Sequence, residues 1–389
     1  MITLGIEILA RDGHPWLEGK RLGLLCNQAS TDSRFRHSRD IVNDRFPGRL
    51  SCLFSPQHGF FSDRQDNMVE SDHLVDRATG LPVFSLYGET RRPTAEMFRN
   101  IDVLLVDLQD VGTRVYTFIY TMAYCLEAAA EYGKKVVVLD RPNPIGGELV
   151  EGNILQSDLF SFVGLYPMPM RHGLTIGELA RLFNDHFGFE AEIEVIRAEG
   201  WRRKMLFRDT GLPWLFPSPN MPTPETALVY PGQVIWEGTN ISEGRGTCLP
   251  FELFGAPFIN HGEVSAKLAD TDLPGCLLRP VAFEPTSNKF ARELCNGFHV
   301  QVVDPQQFRP YRTSLALLQA LMGLYPDDFA YKEPPYEYEY EKLPMDLIIG
   351  NREILAELEN GVPVAELERR WQNDLQEFDR MRRDWFLYD

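Results

Sequence analysis

The 389-residue sequence has only six cysteines, Cys26, Cys52, Cys125, Cys248, Cys276 and Cys295, and no two form a CxxC pair. That excludes the common zinc-ribbon and thioredoxin patterns. Few, widely spaced cysteines in a long chain read as reduced thiols rather than a disulfide framework. Positive charge is also scarce: 39 Lys+Arg stand against 56 Asp+Glu, a formal charge of −17. No Lys/Arg-rich run overrides that balance, so the composition argues against nucleic acid and anionic membranes as partners. No apolar run approaches the roughly 18 residues that would span a bilayer. Residues 1–19 show no basic segment followed by an apolar one, so no signal peptide is expected. The chain as given therefore reads as cytoplasmic, or as periplasmic or secreted if a leader has been removed.

Several catalytic signatures are missing as well. Leu24-Leu25-Cys26-Asn27-Gln28 stands where a dinucleotide fold would place GxGxxG after its first strand. There is no GxxxxGK[ST], HExxH or GxSxG, and no two of the eight histidines are spaced for a metal on one helix. What remains is a chain with 44% hydrophobic residues, enough for a sizeable core.

Short apolar runs recur at Leu22–Cys26, Leu50–Phe54, Pro82–Leu86, Asp102–Val106 and Lys135–Leu139. Continuous Val/Leu-rich runs of this length suit strands buried on both faces. Helical patterns fall between and after them, over Arg36–Phe46, Tyr116–Tyr132 and Thr175–Phe187, the last opening with a Thr175/Glu178 capping box. Alternating strands and helices predict an α/β fold with a mostly parallel sheet. Each run is followed by polar groups, and ligands of open parallel sheets bind beyond the strands' carboxyl ends. The five strand ends together therefore predict one polar cleft.

Glu89, beside Gly88 after the third run, is the first choice for a catalytic group, because a partly desolvated carboxyl there would suit general-acid use. The bland alternative pairs it with Arg91 or Arg92 in a surface loop. Asp107, Gln109 and Asp110 follow the fourth run, with Arg114 shortly after, and Asp110 is equally suited to holding the Gly112–Thr113 turn. Gln57 and His58 follow the second run, and Asp140 and Arg141 the fifth. Arg171 and His172 precede a helix N-terminus, a place that favours anions. Pro217–Pro224 carries four prolines and includes Asn220; this stiff loop is a natural boundary between parts of the chain. The glycine-interleaved stretch Glu237–Thr247, with Asn240, Glu243 and Arg245, reads as a recognition loop or a hairpin. Beyond it, Phe298–Val303 alternates as a strand and Leu315–Leu324 fits a helix. Val364, Leu367, Trp371, Leu375, Phe378 and Trp385 form an apolar stripe. Tyr336–Glu341, alternating Tyr and Glu, reads as an edge strand, or as exposed tyrosines that stack on sugars.

Six motifs, FSPQHGFF (54–61), LYGETRRPT (86–94), DVLLVDLQDVGTRVYTF (102–118), VVLDRPNPIGG (138–147), PSPNMPT (217–223) and EGTNISEGRGT (237–247), closely resemble the NamZ-type exo-β-N-acetylmuramidases, a bacterial family formerly known as a domain of unknown function. The resemblance implies a Rossmann-like catalytic domain over 1–226 and a smaller α/β auxiliary domain over 227–389. It also implies release of N-acetylmuramic acid from the non-reducing end of peptidoglycan fragments. On this reading Glu89 is the general acid, with His58 and Asp110 beside it. Asp107, Glu237 and Glu243 are alternative second carboxylates to Asp110. Arg114, Arg141, Arg171 and Arg245 are candidates for the lactyl carboxylate, which a guanidinium matches bidentately. Gln57, Gln109, Asp140, His172, Asn220 and Asn240 complete the expected sugar contacts. No cofactor or metal is required. The expected partner is a muramic acid-containing saccharide or muropeptide. Two other readings compete: a non-catalytic sugar-binding protein on the same fold, and a nucleotide-dependent enzyme, against which the missing glycine fingerprint counts.

Overall fold

The computed structural model describes residues 2–389. The first half builds a seven-stranded sheet from β1 (Leu22–Cys26), β2 (Leu50–Ser55), β3 (Leu74–Val75), β4 (Pro82–Ser85), β5 (Val103–Asp107), β6 (Lys135–Leu139) and β7 (Glu192–Ile196). Their order is β3-β4-β2-β1-β5-β6-β7, and every neighbouring pair is parallel except β3 with β4. All five apolar runs form strands, as the sequence predicts. Strand order reverses at β1, where a doubly wound sheet opens its ligand crevice. Alternation within the strands divides two cores. Leu22, Leu24, Val103 and Leu105 face the helices Gly5–Asp12 and Ser38–Arg45, whereas Leu25, Leu104 and Val106 face Phe118–Glu131 and Ile176–His186.

The second core runs on without a break into the last third of the chain. There β8 (Leu253–Ala256), β9 (Cys276–Phe283) and β10 (Cys295–Val302) form an antiparallel sheet of order β8-β10-β9. Helices Pro224–Gln233 and Pro310–Leu324 cross so closely that a Cβ on Gly232 would lie 2.0 Å from the Pro310 carbonyl oxygen. The terminal stripe is core packing: Val364, Leu367, Trp371, Leu375 and Phe378 are buried on helix Val364–Arg382. Tyr336–Glu341 is not an edge strand. It is a tight turn in which Tyr336 and Glu339 exchange backbone hydrogen bonds of 2.9 Å. Among the described residues, no helix is long and apolar enough to cross a membrane.

Several expected site residues instead hold this framework together. Asp107, fully buried, takes a two-pronged ion pair from Arg141 (Nε–Oδ1 2.6 Å, Nη2–Oδ2 2.9 Å) and a hydrogen bond from Ser38. Neither partner is left for substrate. Asp140 caps helix Ile176–His186, accepting from the Gly177 amide at 2.8 Å, the Thr175 hydroxyl at 2.8 Å and the Tyr388 hydroxyl at 2.6 Å. Burial pushes its carboxyl up to about 6. Asp110 accepts from the Gly112 amide at 2.7 Å, which fixes the left-handed turn at Gly112 (φ 80°), and lies 3.3 Å from His172 Nε2. Gln109 donates to the Asp110 and Pro142 carbonyls. Arg171 donates to the Ile145 carbonyl. Arg114, fully buried, caps the C-terminus of helix Pro344–Ile349, donating to the carbonyls of Ile348 (2.7 Å) and Ile349 (3.2 Å). The sequence pattern of polar strand ends is thus real, but about half of it serves capping and internal charge pairing.

Two stability predictions follow from this packing. Asp107→Ala strands the Arg141 guanidinium in the interior and should cost about 3–5 kcal/mol in urea unfolding. Trp371→Ala should cost a similar amount, about 3–5 kcal/mol, by opening a core cavity.

Candidate active site

Beyond the sheet's carboxyl edge, loops from both halves of the chain enclose one polar cavity. The loop after β2 contributes Gln57 and His58, and the start of helix Phe118–Glu131 contributes Thr117 and Tyr116. The proline-rich loop adds Ser218 and Asn220, and helix Pro224–Gln233 adds Tyr230. From the last third of the chain come Glu237, Arg245, Tyr336 and Glu337. Free space inside is about 30 Å³, room for about one water molecule.

Two carboxyl groups face this space in unlike surroundings. Glu237 is compensated: Arg245 Nη2 lies 2.5 Å from its Oε1, while the Tyr336 hydroxyl (2.5 Å) and Asn67 Nδ2 (3.1 Å) donate to its Oε2. Arg245 also reaches Glu243 at 3.0 Å, and Lys289 Nζ completes that cluster 2.8 Å from Glu243. These attractions hold the Glu243 carboxyl below its usual range despite burial.

Glu337 is 3% exposed and, among the described residues, has no ion-pair partner. Gln57 Nε2 donates to its Oε1 at 2.9 Å, and the Tyr87 hydroxyl donates to its Oε2 at 2.6 Å. Gln57 is itself oriented by Thr117, whose hydroxyl donates to Gln57 Oε1. Burial, with the neighbouring Glu237 adding to it, pushes the Glu337 carboxyl up to about 7. His58 sits in the left-handed region (φ 70°), and its Nδ1 lies 2.7 Å from the Arg64 carbonyl. A carbonyl only accepts, so Nδ1 carries the proton and Nε2 is the acceptor. Burial lowers His58 to about 4, so near neutral pH it is an uncharged ring. It can accept a hydrogen bond but not serve as a proton donor.

The cavity therefore gathers Gln57, His58, Asn220, Glu237 and Arg245 from the expected set. Glu89 is not among its lining residues. It is exposed, so the partly desolvated setting expected of it is absent. Its expected loop partners are engaged elsewhere: Arg92 pairs with Glu127 and Glu131, and Arg91 stacks 3.7 Å over the Tyr338 ring. Asn240 pins the 328–330 segment through Asp328 and Ala330, and Glu243 backs Arg245 from behind the lining. Asp107, Gln109, Asp110, Arg114, Asp140, Arg141 and His172 belong to the framework described above. The sequence reading missed Glu337, Tyr336, Tyr230 and Asn67. The tyrosine–glutamate alternation was the one signal for the first two, and strand periodicity was the wrong interpretation of it.

Models of two adjoining family regions match this chain. The N-terminal region of exo-beta-N-acetylmuramidase NamZ matches residues 22–225, and its C-terminal region matches residues 228–388. A Bacillus subtilis (strain 168) relative, peptidoglycan beta-N-acetylmuramidase NamZ, is 44% identical over 387 residues, which cover all of this chain and 91% of that protein. Two crystal structures of DUF1343 family proteins from Bacteroides fragilis superpose on the whole chain and on 99% of their own lengths. Their TM-scores are 0.88 and 0.79, at 35% and 28% identity. On the strength of both family regions and the full-length relative, this chain belongs to the NamZ family of exo-β-N-acetylmuramidases.

Proposed function

We propose that the protein is a glycoside hydrolase that releases N-acetylmuramic acid from the non-reducing end of peptidoglycan fragments. The observation that carries this reading is the pair of buried carboxyl groups, Glu237 and Glu337, on one cavity in contrasting surroundings. Glycoside hydrolysis needs a carboxylic acid at the leaving oxygen and a negative group near the developing oxocarbenium ion. Two carboxyls in unlike surroundings, one paired with a guanidinium and one with neutral donors only, can divide those roles. The Bacillus subtilis relative's named activity supports the same substrate class.

Enclosure supports action at a chain end. Loops from both halves wall the cavity, which suits a terminal sugar better than the middle of a strand. Of the four arginines considered for the lactyl carboxylate, Arg114, Arg141 and Arg171 are engaged inside the framework, and Arg245 alone lines the cavity, where it is itself paired with Glu237 and Glu243. Its guanidinium is the group through which the site would tell muramic acid from N-acetylglucosamine. Gln57, His58 and Asn220 supply neutral hydrogen-bonding groups for hydroxyl and acetamido substituents.

The test is hydrolysis of para-nitrophenyl β-N-acetylmuramic acid beside its N-acetylglucosamine counterpart. Cleavage of the muramic compound alone is expected. A folded protein that cleaves neither would be a sugar-binding module instead. Arg245→Lys keeps the charge but loses the planar fork, and should raise KM for the muramic compound by about tenfold, measured by initial rates.

A further inference from the structure

We propose that Glu337, carried on the Tyr336–Tyr338 turn of the chain's last third, is the proton donor of the reaction, and that Gln57 and Tyr87 of the sheet half position it. The inference rests on the glycosidase reading above and assigns its acid. Three independent features of the structure converge on this residue.

The first is placement. Glu337 lines the cavity while both its oxygens are held from the opposite half of the chain, by Gln57 Nε2 at 2.9 Å and the Tyr87 hydroxyl at 2.6 Å. Each carboxyl oxygen has two acceptor sites, so one hydrogen bond apiece leaves room for a proton. The second is backbone cost. Glu337 and Tyr338 both adopt left-handed conformations (φ 46° and 66°), which non-glycine residues avoid and which collect at functional sites. Stacking of the Arg91 guanidinium 3.7 Å over the Tyr338 ring, and the Tyr336 hydrogen bond to Glu237, hold the turn in that shape.

The third is charge. The titratable groups facing Glu337 are Tyr87 and Arg91 from the segment after β4, Tyr230 and Glu237 from the helix and turn below, and Tyr336 and Tyr338 on its own turn. Burial pushes all four tyrosines up, so they stay neutral. Glu237 favours the protonated carboxyl, whereas the Tyr87 hydroxyl, the Gln57 amide and Arg91 favour the ionised one. Burial outweighs these three and leaves the group near 7, poised to give up a proton at neutral pH.

In the step itself, the Glu337 carboxyl proton passes to the glycosidic oxygen as the C1–O bond breaks, and that bond's electron pair stays on the leaving oxygen. Water forms the new C1–O bond. The proton it releases restores the Glu337 carboxyl, so the sum is glycoside plus water to two sugars. Glu237, held by Arg245, faces the positive charge that develops at C1.

The experiment compares wild type, Glu337→Gln and Glu89→Gln on N-acetylmuramyl-β-1,4-N-acetylglucosamine and on the para-nitrophenyl glycoside. A nitrophenolate departs with little protonation, whereas a sugar alkoxide needs it. Glu337→Gln should lower kcat on the disaccharide by about 10²-fold or more, and far less on the aryl glycoside. The decline of wild-type activity as pH rises through about 7 should vanish in the variant. Equal losses on both substrates, near-normal rates, or a leaving-group-dependent loss in Glu89→Gln alone would overturn the assignment while leaving the muramidase reading intact. A wild type that cleaves neither substrate would overturn that reading, and the assignment with it. Should Glu337→Gln fail to fold by circular dichroism, Tyr87→Phe decides. It deletes a bond that favours the ionised carboxyl, so the alkaline limb should move upward by about one pH unit. An unmoved limb would refute the role.

Discussion

The cavity depends on one contact: a glutamate from the last third of the chain held between two side chains that follow β2 and β4. Gln57 and Tyr87 each donate to a different oxygen of Glu337. Each half alone holds an incomplete site. The sheet half has donors with no carboxyl to hold, and the other half has a buried carboxyl with unmet oxygens, which is costly in an interior. Meeting satisfies both. The unbroken apolar core beneath, running from helix Phe118–Glu131 to helix Val364–Arg382, supplies the driving force that keeps the two halves in register.

Around that contact the acidic groups divide by whether a cation answers them. Asp107 is answered by Arg141, Glu178 by Arg203, and Glu237 and Glu243 share Arg245 and Lys289. Glu337 has only neutral donors. In a low-dielectric interior a compensated carboxylate holds its charge and an uncompensated one holds its proton. Location on a strand end does not select the acid; a place on the cavity lining without a directly paired cation does. Asp107 and Glu178 are paired with cations, and Asp140, though burial pushes its carboxyl up as well, is spent on the start of helix Ile176–His186 and does not line the cavity.

The same distinction explains what could be read from the sequence. The five inner strands were legible because apolar runs buried on both faces need no tertiary context. β7, at the sheet edge with alternating Glu192, Glu194 and Ile193, Val195, was not, since its pattern resembles any half-exposed segment. Polar residues at strand ends pointed to the correct edge of the sheet, and Gln57 and His58 do face the cavity. Which carboxyl is desolvated was beyond reach, because it depends on a residue 250 positions from Tyr87. Glu89 has the favourable local sequence, a glycine beside it and a strand before it, yet nothing from the other half covers it. Glu337 has an unfavourable one, an alternating run of tyrosine and glutamate, and is enclosed. Arg114 and Asp140 show the converse error: a guanidinium and a carboxylate at a predicted cleft whose geometry is spent on helix ends.

One wall of the cavity is held to the site by polar bonds. That wall is residues 63–70. Most are exposed, and polar bonds tie them to the site: the Gln65 carbonyl accepts from Asn220 and Arg245, Asn67 donates to Glu237, and the Met68 amide donates to the Tyr87 hydroxyl. Each of these bonds is of a kind that water can replace at small net cost. The segment thus occupies, with its own backbone and Asn67, hydrogen-bonding positions on Asn220, Arg245, Glu237 and Tyr87, the groups that line or hold the site.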